Sequence, residues 1–159
     1  MSTPNGVLLW RLVKARHAET AFDGEGAFRF GGRWNHRGQR VVYASGSLSL
    51  AALEILVHLD ASSHLPELCA IPISLPPDLL TVKNFSAHDA VSGGLPWGLA
   101  QTRAWGDRWC TTGETPALRI PSAIVPRESN YLLNPQHPDF SRLTIGEPEL
   151  FALDTRLRP

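Results

Sequence analysis

The segment that most constrains this chain is GGRWNHRGQRVVYASGSLSLAALE, residues 31–54. Its order predicts a glycine-rich turn, then a strand, then a helix whose first turn Ser45 or Ser47 can cap with its hydroxyl. The same unit carries a guanidinium at Arg33, a phenol at Tyr43 and a carboxylate at Glu54. Because a strand-to-helix junction presents the last strand residues and the first helical turns to one cleft, we expect these three groups close together.

Length and charge limit the class of protein. The chain has 159 residues, so we expect one domain, residues 1–159, with a hydrophobic core. With 15 Lys plus Arg against 15 Asp plus Glu, neither a nucleic-acid backbone nor an anionic membrane is favoured as the main partner. The first residues show no signal peptide and no membrane span, so we expect a cytoplasmic protein. Cys69 and Cys110 are expected to be reduced core residues.

Short apolar segments alternate with turn signals along the chain. Strands are predicted at residues 7–13, near the middle of a sheet, and at 40–45, 68–74, 117–125 and 150–153. Residues 79–82 are expected to extend the third strand after a turn, and Pro121-Ser122 to interrupt the fourth. Helices are predicted at 48–59 and within 95–111, and loops at 18–40, 86–94 and 130–140. This order indicates an α+β fold with small mixed or antiparallel sheets and flanking helices.

Glu54 is the most informative single residue. It lies among Leu53, Ile55 and Leu56 in a mostly apolar helix, where a carboxylate is costly to bury unless it is paired or hydrogen-bonded. It therefore faces either a cleft or an arginine, and a structural ion pair remains the alternative. As a functional group it could stabilise positive charge on a sugar.

The other polar candidates each have a structural alternative. Arg33 could bring its guanidinium to a diphosphate or could brace its own loop. Tyr43 could reach the cleft or be a core aromatic of its strand. Ser122, in a broken strand, could reach a ligand or form a turn. Asn130 could line the pocket or fix its loop.

Other site types find little support in the sequence. The six histidines have no metal-ligand spacing, so we predict no metal site, and His58, one turn after Glu54, is interpreted as structural. The segment GEGAFRFGG does not open a helix after a strand as a dinucleotide fingerprint does. No GxSxG motif of a serine hydrolase is present.

Several segments together resemble one family. LWRLV, GGRWNHRGQRVVYAS, SLSLAALEILVHLD and IPSAIVPRESNYLLNPQHPDF, in this order, are similar to the RES-domain toxins of bacterial toxin–antitoxin systems, named after a shared Arg, Glu and Ser. The likeness covers nearly the whole chain. It implies an ADP-ribosyltransferase-like fold, an activity on NAD, and site residues Arg33, Tyr43, Glu54 and Ser122.

The resemblance also implies a mechanism. NAD would be the substrate, with no permanently bound cofactor, and its nicotinamide–ribose bond would be cleaved by water or phosphate. Arg33 would anchor the diphosphate, Tyr43 would contact the nicotinamide riboside, Glu54 would stabilise charge on the ribose, and Ser122 would bond a ribose hydroxyl or the carboxamide. Asn130 is a further candidate for contacting NAD.

Partners and alternative activities follow from the same resemblance. The expected partner is an Xre-like antitoxin, through which alone the protein would meet DNA, and homo-oligomers are compatible with the sequence. One alternative is a toxin that transfers ADP-ribose from NAD to a protein. The other is a non-catalytic module that binds a nucleotide or a protein.

Overall fold

One curved sheet organises the chain. The computed structural model describes residues 6–60, 64–83 and 97–157. Within them an eight-stranded sheet has the order β4-β5-β6-β2-β1-β3-β7, and β8 also pairs with β3. The strands are β1 Val7–Lys14, β2 Val42–Ser45, β3 Leu68–Leu75, β4 Leu80–Val82, β5 Ala117–Pro121, β6 Ser129–Leu133, β7 Thr144–Ile145 and β8 Glu149–Phe151. The α-helices are α1 Glu25–Phe30, α2 Leu48–Leu56 and α3 Leu99–Thr112.

The central strands match the prediction. β1 lies between β2 and β3, and it pairs with β3 over its whole length, from Val7 opposite Leu75 to Lys14 opposite Leu68. Among the described strands, every pair is antiparallel except β4 with β5, which is parallel. The predicted α+β class is confirmed.

Two strand predictions were wrong. Residues 79–82 do not extend β3, because a 3-10 turn at Pro77–Leu79 redirects the chain and β4 joins β5 at the opposite edge of the sheet. Residues 130–133 are not a loop, because Ser129–Leu133 forms β6 between β5 and β2. Its Leu132 and Leu133 are fully buried. The Asn and Pro residues that follow favoured a loop, yet they begin one residue after the strand ends.

The remaining predictions differ in smaller ways. The fourth predicted strand, 117–125, stops at its predicted break: β5 ends at Pro121, and residues 122–125 belong to the turn before β6 instead of continuing the strand. The predicted loop at 18–40 contains the short helix α1, and the predicted helix at 48–59 ends three residues early. The loop predicted at 86–94 lies outside the described residues.

The helices cover the sheet. Ser47 caps α2 by accepting a hydrogen bond from the Leu50 amide at 3.1 Å, as the sequence predicts. Ala51 and Ala52 of this helix pack on β1 and β3, and Trp109 of α3 packs on β5 and β6. No helix among the described residues is long and apolar enough to cross a membrane.

Both cysteines are buried and unbonded, as predicted. Burial raises the pKa of the Cys110 thiol to about 12, with a further increase from Asp107. Cys110 is therefore a protonated core residue of α3 at neutral pH.

Candidate active site

A cleft of about 860 Å³ lies between the sheet, α1, α2 and the segment that precedes β2. We call residues 31–38 of that segment the glycine turn. Four of the predicted site residues line the cleft, namely Arg33, Tyr43, Glu54 and Asn130. Ser122 is fully buried and lies outside the lining. The carboxylate of the helix and the guanidinium of the turn thus share one cavity, as the sequence predicts.

Glu54 is held by a hydrogen-bond network at one of its two carboxylate oxygens. Its Oε1 accepts hydrogen bonds from Ser122 Oγ at 2.8 Å and from Asn130 Nδ2 at 2.5 Å. Within the described ranges Glu54 forms no ion pair, so the alternative of a structural ion pair is not supported there. Its Oε2 has no hydrogen-bond partner among the same residues, and this oxygen remains for a ligand.

Ser122 supports the carboxylate from behind the cleft wall. Its Oγ accepts hydrogen bonds from the amides of Ile124 at 3.0 Å and Val125 at 3.1 Å, and it donates its own hydrogen to Glu54. Ser122 thereby stabilises the turn after β5, which is the structural role expected of a lone serine. The same hydroxyl also contacts the Glu54 carboxylate, which lines the cleft. In this arrangement Ser122 acts through Glu54, and a direct contact with a ligand stays a prediction.

The glycine turn is attached to α3. Thr102 Oγ1 donates to the carbonyl of Arg33 at 2.5 Å, and Arg103 Nε donates to the carbonyl of Gly32 at 2.8 Å. The turn also meets α3 at His36, whose amide lies 3.1 Å and whose ring Nδ1 lies 2.6 Å from the carboxylate of Asp107. These contacts fix the backbone that carries Arg33. Sequence reasoning missed them because they join residues about seventy positions apart.

The side chain of Arg33 projects from this fixed backbone. It is exposed, it lines the cleft, and it makes no hydrogen bond or ion pair with the residues that the structure describes. The alternative that Arg33 braces its own loop finds no support, because its carbonyl rather than its guanidinium makes the bracing contact. The guanidinium is available for an anion.

Tyr43 is committed to the glycine turn through its hydroxyl. The hydroxyl donates to Asn35 Oδ1 at 2.6 Å and accepts from the Trp34 amide at 3.1 Å. Burial raises the pKa of the phenol well above its ordinary value. A Cβ at Gly32 would lie 2.6 Å from this hydroxyl, so the contact requires glycine at that position. Only the ring of Tyr43 is left to meet a ligand in this arrangement.

Asn35 was missed by sequence reasoning. It is fully buried, and its Nδ2 donates to the carbonyls of Ala27, His36 and Gln39 at 3.0, 2.9 and 3.3 Å. An asparagine in a glycine-rich turn is the available signal, because its amide bonds readily to nearby backbone. Asn35 joins the end of α1 to the glycine turn.

We expect Tyr43→Phe to destabilise the protein by about 1–3 kcal/mol, since the substitution leaves the Trp34 amide and Asn35 Oδ1 without their partner. Part of this loss should depend on pH. Because the folded pKa is raised, the phenol contributes fully below its unfolded pKa near 10 and loses this contribution as the pH rises. Urea denaturation at pH 7 and pH 10.5 measures both effects.

Tyr131→Phe is the matched control. Tyr131 is also buried, but its hydroxyl has no hydrogen bond within the described part of the chain. The Tyr131→Phe substitution should therefore lower the free energy of unfolding by less than Tyr43→Phe does at pH 7. An equal loss in the two variants at pH 7 would show that the Tyr43 hydroxyl does not hold the turn.

Arg11 is a second cation of the cleft, and the sequence indicated it only as the polar residue of an apolar strand. Its Nε donates to the carbonyl of Ala21 at 3.0 Å and its Nη1 to the carbonyl of Tyr43 at 2.8 Å. Burial lowers its pKa to about 10, while Asp23 acts in the opposite direction. The group stays charged at neutral pH and adds positive potential beneath the cleft.

No metal centre is evident where the structure describes the chain, since no three His, Cys, Asp or Glu side chains converge there. His58 follows α2 and is exposed at the margin of the cleft.

Comparison with known proteins places this geometry in a family. Residues 8–154 match the RES domain. The chain belongs to the RES-domain family of toxins. A "Toxin Res" from Yersinia enterocolitica is 36% identical over 156 residues, which cover 96% of this chain and all of the relative. A "Prs ADP-ribosylating toxin" from a Sphingobium species is 35% identical, covering 93% of this chain and 94% of the relative.

A solved structure has the same fold as this RES-domain chain. It comes from the M. tuberculosis MbcT–MbcA toxin–antitoxin complex and superimposes with a TM-score of 0.68 over 92% of this chain and 85% of the other. Sequence identity is 18%, so the likeness concerns the fold. The predicted family is confirmed by these matches.

Proposed function

We propose that this RES-domain toxin binds NAD in the cleft and cleaves its nicotinamide–ribose bond. The observation that carries the proposal is the Glu54 carboxylate, which lines the cavity with one oxygen held by Ser122 and Asn130 and the other free of described partners. A fixed anion of this kind stabilises positive charge that develops on a sugar. The proposal extends to growth inhibition through loss of NAD.

The chemistry needs little beyond this anion and a means of positioning. Nicotinamide in NAD is already a cationic leaving group, so its departure requires no general acid. The glycosidic bond breaks with both electrons going to the pyridine nitrogen, and the ribose carbon becomes cationic in character. Glu54 stabilises that carbon, and an acceptor then forms the new bond to it. Because Glu54 is positioned before the reaction, little reorganisation is needed when the charge appears.

The positive groups of the cleft support a diphosphate ligand. The Arg33 guanidinium is exposed to the cleft without a described partner, and Arg11 lies beneath the same cavity. Arginine bonds phosphate oxygens in pairs and retains its charge at neutral pH. In this proposal the diphosphate lies against Arg33, and the nicotinamide riboside lies between the Tyr43 ring and Glu54.

The acceptor distinguishes two candidate activities. NAD breakdown uses water or inorganic phosphate, whereas transfer uses a side chain of another protein. The name of the Sphingobium relative, "Prs ADP-ribosylating toxin", favours transfer as the second candidate. We place breakdown first because it needs only water or phosphate as the acceptor and no protein substrate.

Incubation of the purified chain with adenine-labelled NAD tests the proposal. Breakdown predicts free ADP-ribose, or its phosphate when phosphate is present, together with nicotinamide. Transfer predicts label that stays with protein after denaturation when a bacterial lysate is added. Unchanged NAD under both conditions would instead support a non-catalytic binding module.

We also propose that an Xre-like antitoxin covers the cleft and blocks NAD. The fold match to a chain of a toxin–antitoxin complex supports an antitoxin partner. Contact with DNA would then be made by the antitoxin. Co-expression of a neighbouring Xre-like reading frame should restore both growth and cellular NAD, and a neighbour that restores neither would contradict this assignment.

We expect Arg33→Ala to weaken NAD binding about 10- to 100-fold, since a charge-assisted hydrogen bond contributes about 1.5–3 kcal/mol. The fold should be unaffected because only the Arg33 carbonyl contacts α3. The KM for NAD and the urea midpoint measure the two effects. Arg37→Ala is the matched control, because Arg37 is exposed on the same turn but does not line the cleft. Equal KM values for the two variants would exclude Arg33 from NAD binding.

A further inference from the structure

Ser45 lies at the end of β2, directly behind the Glu54 network. It is buried, and it stands opposite Asn130 in the β2–β6 register. Its Oγ donates a hydrogen bond to Asn130 Oδ1 at 2.8 Å. The sequence suggests Ser45 or Ser47 as a helix cap, but Ser47 performs that role. The hydroxyl of Ser45 therefore has a different role.

This role concerns the orientation of the Asn130 side-chain amide. A side-chain amide has an oxygen that accepts and a nitrogen that donates, and the two ends have nearly the same shape. With its oxygen bonded to Ser45, the amide presents its nitrogen to Glu54 Oε1 at 2.5 Å. In the reversed orientation a carbonyl oxygen would face a carboxylate oxygen, and the two would repel. The carboxylate, which can only accept, therefore selects this orientation, and the Ser45 hydroxyl completes it by donating to the amide oxygen, so that the Asn130 side chain is held at both ends.

The three links run in a single direction. Ser45 donates to Asn130, Asn130 donates to Glu54, and Ser122 donates to the same carboxylate oxygen. The two donors that contact the carboxylate, Ser122 and Asn130, both bond its Oε1. The orientation of the carboxylate, and so the placement of Oε2, depends on a serine that makes no contact with the acid itself.

We propose that Ser45 is a positioning residue for the reaction, acting on Glu54 through the Asn130 amide. The inference rests on the proposed NAD cleavage and adds to it a residue that neither spacing nor the resemblance indicated. Because Ser45 is behind the network rather than in the lining of the cleft, it should affect the chemical step and leave NAD binding unchanged.

Steady-state kinetics of Ser45→Ala test this. We expect kcat to fall about tenfold, as for the loss of one hydrogen bond that orients a catalytic group, while the KM for NAD stays within twofold. Ser45→Thr, which keeps the hydroxyl, should restore kcat. The matched control is Ser47→Ala, which also deletes a serine hydroxyl two residues away and should lower the melting temperature without lowering kcat.

A double-mutant cycle separates positioning from a general structural effect. Asn130→Ala alone should lower kcat, and adding Ser45→Ala should then change it little, because the amide that Ser45 orients is gone. Independent, multiplicative losses would overturn the inference, and so would a Ser45→Ala kcat equal to that of Ser47→Ala. If Ser45→Ala does not fold, Ser45→Cys can be used in the same kinetic test, because a thiol is close to a hydroxyl in size but is only a weak hydrogen-bond donor.

NAD consumption by the unmodified chain distinguishes a failure of this inference from a failure of the proposed function. If the unmodified chain leaves NAD intact, the proposed function fails and the inference fails with it. If the unmodified chain consumes NAD and the Ser45 variants match it, only the inference fails.

Discussion

Glu54→Gln should reduce NAD consumption at least about 100-fold while the protein stays folded. Glutamine retains the shape of the side chain, and its amide oxygen can still accept from Ser122 and Asn130. Its nitrogen replaces the oxygen that has no described partner, so the negative charge is lost where the ribose would become cationic. The measurement is NAD turnover by chromatography, with the urea midpoint as the check on folding.

Glu128→Gln is the matched control for this prediction. Glu128 is an exposed carboxylate on the turn between β5 and β6, close in sequence to Ser122 and Asn130 but outside the cleft lining. Its loss should leave turnover unchanged. Full NAD consumption by the Glu54→Gln variant would remove Glu54 from the mechanism, and with it the central claim about this site.

Gly106→Ala should produce the largest loss of stability, about 3 kcal/mol or more. A Cβ at Gly106 would lie 1.7 Å from the Trp34 carbonyl oxygen and 2.8 Å from its carbonyl carbon. These are backbone atoms of the glycine turn and cannot rotate away. Helix α3 would have to separate from the turn, which would break the bonds from Thr102 and Arg103 that hold the Arg33 backbone. Urea denaturation measures the stability, and the KM for NAD should rise in any fraction that folds.

Gly26→Ala serves as the control for stability. Gly26 is within α1, its Cβ would meet nothing within 4 Å, and alanine is favoured over glycine in a helix. This variant should be as stable as the unmodified chain or slightly more so. If Gly106→Ala unfolds at the same urea concentration as Gly26→Ala, the close contact between α3 and the turn is not present in solution.

The parts of the fold that the sequence predicted are those with a strong local signal. β1 is an apolar run, β2 leads directly into a serine-capped helix, and α2 has its apolar residues at helical spacing. β6 was missed because its pairing with β2 and β5 is a property of the sheet, while the Asn and Pro residues after it gave a strong loop signal. β4 was misplaced for the same reason, because its partner strand, β5, comes much later in the sequence.

The site likewise has a part that local sequence predicted and a part that depends on contacts between distant segments. Arg33, Tyr43 and Glu54 belong to one turn-strand-helix unit, so their nearness could be predicted from order alone. That Ser122 and Asn130 bond Glu54, or that Tyr43 uses its hydroxyl on the glycine turn, depends on contacts between distant segments and on atomic directions. Residue types indicated these side chains, but only the folded geometry gave them partners.

The Glu54 network spans a long stretch of sequence, because Ser122 and Asn130 follow the acid by 68 and 76 positions. A ribosome completes α2 well before it reaches the strand that carries Asn130. A nascent chain therefore has its acid in place without the donors that orient it, and the same holds for any fragment truncated before β5. On the proposed function, NAD cleavage should then begin only after Ser129–Leu133 has been synthesised and has paired with β2, and the growing chain should be inactive until that point.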